Sequence, residues 1–230
     1  MKVGTDGVLL GAWCPVQECV HILDIGTGSG LIALMLAQRC PEAQIDAIDI
    51  DEASCEQARE NFAASPWAER LHVTRSSLQD WSHSRLSTVD VRLSTDQYDL
   101  IVSNPPYFVR SLKAPDASRC AARHNDTLPY DALMADSTRL LKPDGRLALI
   151  VPCEAEDELQ ALAAEQGLQC IRRCYVHPKP ERPAKLVMIA WQKSRGVSTE
   201  ATEITERIVL ENEHGGRSEA YQQLTKEFYL

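Results

Sequence analysis

The sequence predicts an α/β fold, a mainly parallel sheet with helices on both faces, from two observations. Short apolar runs rich in β-branched residues alternate with segments of helical periodicity as far as residue 166. A glycine-rich stretch directly follows the first apolar run. Repeated strand–helix units give a parallel sheet, because each crossover helix returns the chain to the same end of the sheet.

The individual elements follow in order along the chain. The first strand is predicted at His21–Ile25 and the first helix at Leu31–Arg39, which ends before Cys40-Pro41 because proline cannot continue a helix. A Lys-Pro-Asp-Gly turn is expected at 142–145. Further strands are expected at 44–48, 71–74, 98–103 and 146–151, and further helices at 52–64, 130–141 and 154–166.

The last part of the chain has a different pattern. Two apolar runs, 168–176 and 186–191, are joined by the proline-rich, basic segment 177–185 without an intervening helix, which predicts an antiparallel strand pair. A short strand at 204–210 and a terminal helix at 219–229 follow. Because 230 residues are enough for one sizeable core, we expect a single domain, residues 1–230, around a seven-stranded sheet.

Composition and charge narrow the class of protein. The chain has 24 basic and 33 acidic residues and a net charge of −9, so any contact with nucleic acid must be local. Eight cysteines lie scattered without zinc-site spacing, and we interpret them as reduced structural thiols, with no metal site. Since no membrane span or signal peptide is recognisable, we expect a cytoplasmic protein without an obligate protein partner.

The stretch from Asp24 to Gly30 has the features of a nucleoside-binding loop. Gly26, Gly28 and Gly30 stand where a buried strand turns into a helix, so the backbone can approach a ligand without obstruction by a Cβ atom. Asp49, ~20 positions further on, suits ribose hydroxyls. A plain strand-to-helix turn would explain the glycines but would leave both aspartates at their strand ends without a use.

Asn104-Pro105-Pro106-Tyr107 follows the predicted strand 98–103 and so belongs at the carboxyl edge of the sheet, where ligands of open α/β folds bind. The Asn104 side-chain oxygen and the Pro105 carbonyl can accept hydrogen bonds from both hydrogens of a planar amine, which orients its lone pair for methyl transfer. The prolines hold the backbone rigid, and Tyr107 would stack on a planar substrate. A rigid turn packed by an aromatic ring is the structural alternative.

The glycine loop resembles motif I of the Rossmann-like, class I S-adenosylmethionine-dependent methyltransferases. In that resemblance Asp49 holds both ribose hydroxyls of the cofactor and Ile50 packs against its adenine. Ser77, followed by Leu78, aligns with an aspartate that often binds the adenine amino group in this family. Asp80 supplies that carboxylate only if the local loop is shifted, and is otherwise an exposed residue near a helix start.

The whole chain resembles the bacterial tRNA1(Val) (adenine-37) amino-methyltransferases through its segments 2–13, 24–30, 65–70, 104–107 and 218–229. The resemblance implies methylation of the exocyclic amine of the adenine next to the anticodon. It places Thr5 and Asp6 toward the methionine end of the cofactor, within a cofactor and substrate segment 1–20 that by periodicity alone is an ordinary connecting loop. Members usually have an aromatic-containing segment before Lys2, so a truncated or downstream start is also implied.

Two local groups of basic residues are candidates for contacts with tRNA phosphates, with a solvated surface as the alternative. One follows Asn104-Pro105-Pro106-Tyr107, which we call the reactive motif, and the other surrounds the connection between the late antiparallel strands. The first group is Arg110, Lys113, Arg119, Arg123 and His124, and the second is Arg172, Arg173, Lys179, Arg182 and Lys185.

The reactive motif alone leaves other methyl acceptors open, because adenine, guanine and a glutamine side chain all present a planar amine. Protein glutamine methyltransferases usually carry a separate N-terminal helical domain, which we do not expect here. Methylation of guanine in ribosomal RNA stays open, and DNA adenine has less support because no target-recognition domain is evident. A non-catalytic RNA-binding protein is the alternative from another class.

Overall fold

The computed structural model describes residues 4–87, 97–106, 128–193 and 203–228. Within them, eight strands form one sheet: β1 (His21–Ile25), β2 (Gln44–Asp49), β3 (Leu71–Arg75), β4 (Tyr98–Ser103), β5 (Leu141–Pro152), β6 (Leu168–His177), β7 (Leu186–Lys193) and β8 (Ile204–Val209). The strand order is β3-β2-β1-β4-β5-β7-β6-β8. The predicted α/β fold is confirmed, including the antiparallel pairing of β6 with β7.

The sheet was predicted to have seven strands, but the described residues form eight, so that number is wrong. Residues 204–209 do form the expected short strand, but it belongs to the same sheet, in parallel register with β6 from Arg172↔Ile204 to His177↔Val209. Without β8, the outer edge of the long β6 strand would present a row of unpaired backbone groups, which proteins generally cover.

Helices cover both faces of the sheet. They are α1 (Thr5–Trp13), α2 (Leu31–Arg39), α3 (Glu52–Ala63), α4 (Leu78–Ser87), α5 (Tyr130–Leu140), α6 (Glu156–Glu165) and α7 (Glu219–Thr225). One core layer contains Leu36 of α2 and Phe62 of α3, together with α1 and α7. The other contains Trp81 of α4 and Leu133 of α5, together with α6. None of the helices in the described ranges combines the length and the hydrophobicity of a membrane span.

Helix α1 occupies a segment that the sequence pattern presents as a loop. Every residue from Gly7 to Trp13 is buried, so the helix has no polar face and lacks the apolar stripe that identifies a surface helix. A Cβ atom added to Gly11 would lie 2.8 Å from the sulfur of Met35, so this glycine lets α1 pack closely on α2. The interpretation as a connecting loop is wrong because the segment is buried on all sides.

The turn expected at 142–145 lies inside strand β5. The register with β4 jumps from Tyr98↔Leu141 to Leu100↔Arg146, so the intervening residues are looped out while pairing continues on either side. Asp144 takes the left-handed backbone conformation there, with φ of 66°. The turn residues therefore produce a bulge within β5 rather than separating it from α5.

The order of the strands locates a crevice. From β1 the chain builds outward through β2 and β3, whereas β4 lies on the other side of β1 and leads to β5. The carboxyl ends of β1 and β4 thus flank the point where the direction of winding reverses, which is where open α/β sheets bind ligands.

The seven cysteines in the described ranges are free thiols. Burial raises the pKa of Cys14 to about 11 and that of Cys19 to about 12, which leaves the thiolate form scarce at neutral pH. These two side chains pack with Cys40 in the core layer under α1 and α2. The expectation of structural thiols fits this packing, while Cys120 lies outside the described residues.

Candidate active site

A cleft of about 660 Å³ lies at the carboxyl ends of strands β1 to β4. Seven predicted site residues border it: Gly26, Asp49, Ile50, Ser77, Leu78, Pro105 and Pro106. The sequence reasoning did not single out seven others: Ile25, Ile48, Ser76, Gln79, Ser103, Leu128 and Pro129. Most of these are neighbours of predicted residues at strand ends, so the strand boundaries held a signal for them. Leu128 and Pro129 reach the cleft only through the tertiary fold.

The loop between β1 and α2 bends tightly over the end of the sheet. The backbone amides of Gly26 and Thr27 both donate to the Ile48 carbonyl of β2, at 2.8 and 3.1 Å. Gly30 has φ of +81°, and a Cβ atom there would lie 2.4 Å from the ring of Phe62. A side chain at position 30 would therefore be both strained and overlapping, which explains the glycine at the start of α2.

Asp24 lies beneath this loop rather than in the cleft. Its side chain is fully buried, and its Oδ2 atom accepts hydrogen bonds from Thr27 Oγ1 at 2.7 Å and from the Ala33 amide at 3.2 Å. Its Oδ1 atom has no partner among the described residues. Burial raises the pKa of this carboxyl to about 7, against the opposing effect of the two hydrogen bonds.

Asp49 is held in place by two backbone amides. Its Oδ2 atom accepts from Gly28 at 2.9 Å and its Oδ1 atom accepts from Asp51 at 3.0 Å. Each carboxylate oxygen keeps a further lone pair for a ligand. Ile50, the next residue, is 47% exposed although it is large and apolar, and it borders the cleft. A polar contact and an apolar contact for a flat ligand thus lie side by side.

The connection between β3 and α4 forms another wall of the cleft. Ser77 caps α4: its hydroxyl accepts from the Asp80 amide at 3.1 Å and donates to Asp80 Oδ2 at 2.7 Å. Asp80 is exposed and does not border the cleft. The side chains of both candidates for the adenine contact are therefore engaged with each other.

The reactive motif begins directly after β4. The Ser103 hydroxyl donates to the Ile25 carbonyl at 2.8 Å, which ties the end of β4 to the end of β1. Asn104 is half-buried and stands between Ser103 and Pro105, which both border the cleft. Tyr107, the last residue of the motif, lies outside the described residues, as do Arg110, Lys113, Arg119, Arg123 and His124.

Thr5 and Asp6 lie in the first turn of α1 and do not border the cleft. A Cβ atom added to Gly7 would lie 3.5 Å from Leu31, the first residue of α2. The residue after Asp6 therefore packs against the start of α2, directly after the glycine loop.

The basic connection between β6 and β7 lies at the same edge of the sheet as the cleft. Leu186 at the start of β7 pairs with Pro152 at the end of β5, which is parallel to β4. Lys179, Arg182 and Lys185 in this connection are exposed.

Arg172 and Arg173, which the sequence grouped with them, are engaged elsewhere. Arg172 binds Glu206 at 2.8 Å, and Arg173 binds Glu156 at 2.6 Å and Glu203 at 2.6 Å. Carboxylates already neutralise both side chains, so their contact with tRNA phosphates stays a prediction.

Comparison with known proteins identifies the family. A sequence model described as the methyltransferase small domain matches residues 8–164. A relative from Parabacteroides distasonis, named tRNA1(Val) (adenine(37)-N6)-methyltransferase, is 46% identical over 100% of this chain and 91% of its own length. The chain belongs to this methyltransferase family. Equally named relatives from Bacteroides thetaiotaomicron and Aeromonas hydrophila are 45% and 44% identical, again over 100% of this chain and 91% of theirs.

Solved structures of other proteins share the fold of this methyltransferase. A protein from Agrobacterium tumefaciens described as a predicted O-methyltransferase superposes with a TM-score of 0.72, at 16% identity over 96% of each chain. TrmN from Thermus thermophilus superposes with a TM-score of 0.52, at 23% identity over 76% of this chain and 44% of that one. At these identities the likeness concerns the fold alone.

Proposed function

We propose that this protein transfers a methyl group from S-adenosylmethionine to the exocyclic amino group of adenine 37 in tRNA1(Val). The observation that carries the proposal is the meeting of two groups of residues in one cleft. Asp49 and Ile50 of the nucleoside-binding side and Pro105 and Pro106 of the reactive motif border the same cavity of about 660 Å³. A cavity of this size accommodates a nucleoside-sized ligand with room for a planar base beside it.

The cofactor side of the cleft fits a nucleoside. The Asp49 carboxylate, oriented by two backbone amides, accepts hydrogen bonds from the ribose hydroxyls, and the exposed Ile50 supports the face of the adenine. Thr5 and Asp6 serve the methionine end. Asp24, Gly28 and Gly30 act indirectly, by setting the shape of the glycine loop. When bound, S-adenosylmethionine supplies an electrophilic methyl group on sulfur.

The target amine needs help because its lone pair is delocalised into the ring. Asn104 Oδ1 and the Pro105 carbonyl accept hydrogen bonds from its two hydrogens, which directs the lone pair toward the methyl carbon and stabilises the positive charge that develops on nitrogen. With the cofactor bound, the nitrogen would take the methyl group from sulfur and would then lose one amine proton to water. Tyr107 stacks on the adenine once it is turned out of the anticodon loop.

The tRNA partner meets the carboxyl edge of the sheet. Lys179, Arg182 and Lys185 are exposed at this edge and contact phosphates, and the basic residues 110, 113, 119 and 123 that follow the motif are proposed to do the same. The former group lies at the same edge of the sheet as the cleft, and the latter follows the motif in the sequence. Together they hold the tRNA while adenine 37 enters the cavity. The protein acts in the cytoplasm, where its substrate is found.

Nucleoside mass spectrometry tests the reaction directly. Unmodified tRNA1(Val) transcript, incubated with the protein and S-adenosylmethionine, is expected to gain one N6-methyladenosine, which ribonuclease mapping locates at position 37. A transcript with guanine at position 37 is the matched control and should stay unmethylated. Methylguanosine, methylation at another adenine, or no product despite bound cofactor would each contradict the proposal.

Two variants separate the roles of the two sides. Asn104→Ala is expected to lower kcat by about 100-fold or more, because it removes an acceptor that acts on the developing charge, while the calorimetric Kd for S-adenosylhomocysteine changes less than about twofold. Asp49→Ala should instead raise that Kd by about tenfold or more. If Asn104→Ala kept full turnover, or Asp49→Ala full affinity, the assigned role would be wrong.

A further inference from the structure

The cleft contains a wall for the cofactor adenine, but the contacts to the edge of that base are unassigned. Ile50 offers an exposed apolar surface beside the ribose-binding Asp49. The same cavity is also bordered by Ser76 and Ser77 of the β3–α4 connection and by Gln79 in the first turn of α4. A base that lies on Ile50 therefore presents its polar edge to this connection.

Three polar side chains in this connection and the first turn of α4 already form hydrogen bonds. Ser77 and Asp80 exchange hydrogen bonds at 2.7 and 3.1 Å to cap α4, and Asp80 is exposed outside the cleft. The Ser76 hydroxyl donates to the Ser77 carbonyl at 2.9 Å. Using Ser77 or Asp80 for the base would break the hydrogen bonds that cap α4.

Gln79 is different. It borders the cleft, is half-buried, and its carboxamide forms no hydrogen bond with any of the residues that the structure describes. A carboxamide presents one acceptor and one donor side by side, and this pair matches the amino group and the neighbouring ring acceptor N1 on the Watson–Crick edge of adenine. Glutamine also pairs bidentately with adenine in nucleic-acid complexes, there through the N6 and N7 atoms of the base.

We propose that Gln79 binds the Watson–Crick edge of the cofactor adenine, its oxygen accepting from the amino group and its amide nitrogen donating to N1. Gln79 thereby takes the place that the sequence alignment gave to Ser77. It selects adenine through two hydrogen bonds of opposite direction, which a carboxylate at this position could not provide. The inference rests on the cofactor placement proposed above and is independent of which RNA is methylated.

A double-mutant cycle between protein and ligand tests the pairing. Calorimetry measures the Kd of S-adenosylhomocysteine and of its 1-deaza analogue, which lacks the N1 acceptor, for the unmodified protein and for Gln79→Leu. Gln79→Leu is expected to weaken binding of S-adenosylhomocysteine about tenfold, and loss of N1 should weaken binding several-fold in the unmodified protein only. Gln223→Leu, on the exposed side of α7, is the control for loss of a glutamine amide.

The proposal would be overturned if the losses of binding free energy from Gln79→Leu and from the missing N1 atom simply added. It would also be overturned if Ser76→Ala removed the coupling to N1 while Gln79→Leu did not. Should Gln79→Leu fail to fold, Gln79→Glu retains the acceptor and the length of the side chain, and it should lose the N1 coupling alone. In activity assays Gln79→Leu should raise KM for S-adenosylmethionine without changing kcat. Because binding is measured without RNA, failure of the proposed tRNA substrate would leave this result unaffected.

Discussion

At the residue scale, Asp24 shows how the loop of the cofactor site is held at a cost to stability. The carboxyl is fully buried, one oxygen receives two hydrogen bonds, and the other receives none among the described residues. Burial raises its pKa from 3.8 to about 7. An ionised Asp24 is therefore less stable in the folded protein than in the unfolded chain. Its hydrogen bonds to Thr27 and Ala33 fix the loop in return.

Replacing Asp24 by asparagine should therefore stabilise the cofactor-free protein at neutral pH. Between pH 3.8 and about 7 the unfolded chain releases the Asp24 proton while the folded protein keeps it, so the contribution of this residue to the free energy of unfolding falls as the pH rises through this window. In urea unfolding, Asp24→Asn and the unmodified protein should have equal free energies of unfolding near pH 4. At pH 8 the free energy of unfolding of the variant should be higher by roughly 2–4 kcal/mol. A gap independent of pH would contradict the shift.

The matched control for that measurement is Asp157→Asn, an exposed carboxylate in the first turn of α6. Removing it changes the net charge equally but leaves the loop untouched. Its free energy of unfolding should differ from that of the unmodified protein by less than about 0.5 kcal/mol, with no step between pH 4 and 7.

At the element scale, α1 is joined to the outer strands by a small polar network. Trp13 Nε1 at the end of α1 donates to Glu206 Oε2 of β8 at 2.7 Å. Arg172 of β6 donates to both oxygens of Glu206, at 2.8 and 3.0 Å, and to the Trp13 carbonyl at 2.9 Å. The Arg172 guanidinium also lies 4.7 Å from the centre of the Trp13 ring. Three elements distant in sequence thus share one carboxylate.

Glu206→Gln should loosen this junction. We expect a loss of about 1–2 kcal/mol near pH 7 and a melting temperature lower by roughly 3–6 °C, because a charged bidentate acceptor is replaced by a neutral one. Although burial alone would raise the pKa of Glu206, Arg172 and Trp13 hold it below its usual 4.5. The stabilisation is therefore present above pH 4.5 and is lost as the pH falls through the lower folded pKa.

Thermal melts at pH 7 and pH 3.5 test this, with the exposed Glu213→Gln as control. The two variants should differ at pH 7 and converge at the lower pH. Equal melting temperatures at pH 7 would show that the network contributes little. Because α1 begins with Thr5 and Asp6, a weaker affinity for S-adenosylhomocysteine in Glu206→Gln would further connect this junction to the cofactor site.

Sequence patterns correctly predict the elements that have one exposed face or that end at a glycine or a proline. The predicted bounds of strand β1 are correct at both ends, because its β-branched residues are followed directly by a glycine. Those of α2 are correct because Cys40-Pro41 follows the helix. Helix α1 was missed because burial on all sides removes the amphipathic period, and the bulge in β5 because turn residues look alike whether or not pairing resumes. The site residues were predictable where they end a strand. Leu128 and Pro129 were not, since only the folded chain brings them to the cleft.

At the scale of the whole molecule, the sheet brings local charges together on a protein whose net charge of −9 repels nucleic acid. The β6–β7 connection with Lys179, Arg182 and Lys185 lies at the carboxyl edge, beside the end of β5 and two strands from the reactive motif after β4. Within the part of the chain that the structure describes, Lys179 is the one member of this trio that forms an ion pair, with Glu211 at 3.8 Å, and both side chains are about half exposed. Attraction over about a Debye length, roughly 8 Å at physiological salt, makes such a local group effective despite the net charge.

Substituting Lys179, Arg182 and Lys185 together by alanine should weaken tRNA binding and reduce its salt dependence. Each lost phosphate contact lowers the slope of log affinity against log salt by about 0.7–0.9, so three contacts would lower it by roughly 2 to 3. Filter binding between 50 and 200 mM salt measures the slope, while the calorimetric Kd for S-adenosylhomocysteine should stay unchanged because these residues lie outside the cleft. Arg146→Ala, six residues before the carboxyl end of β5, is the control and should leave the slope as it is. An unaltered slope in the triple variant would mean that the tRNA approaches this edge from another side.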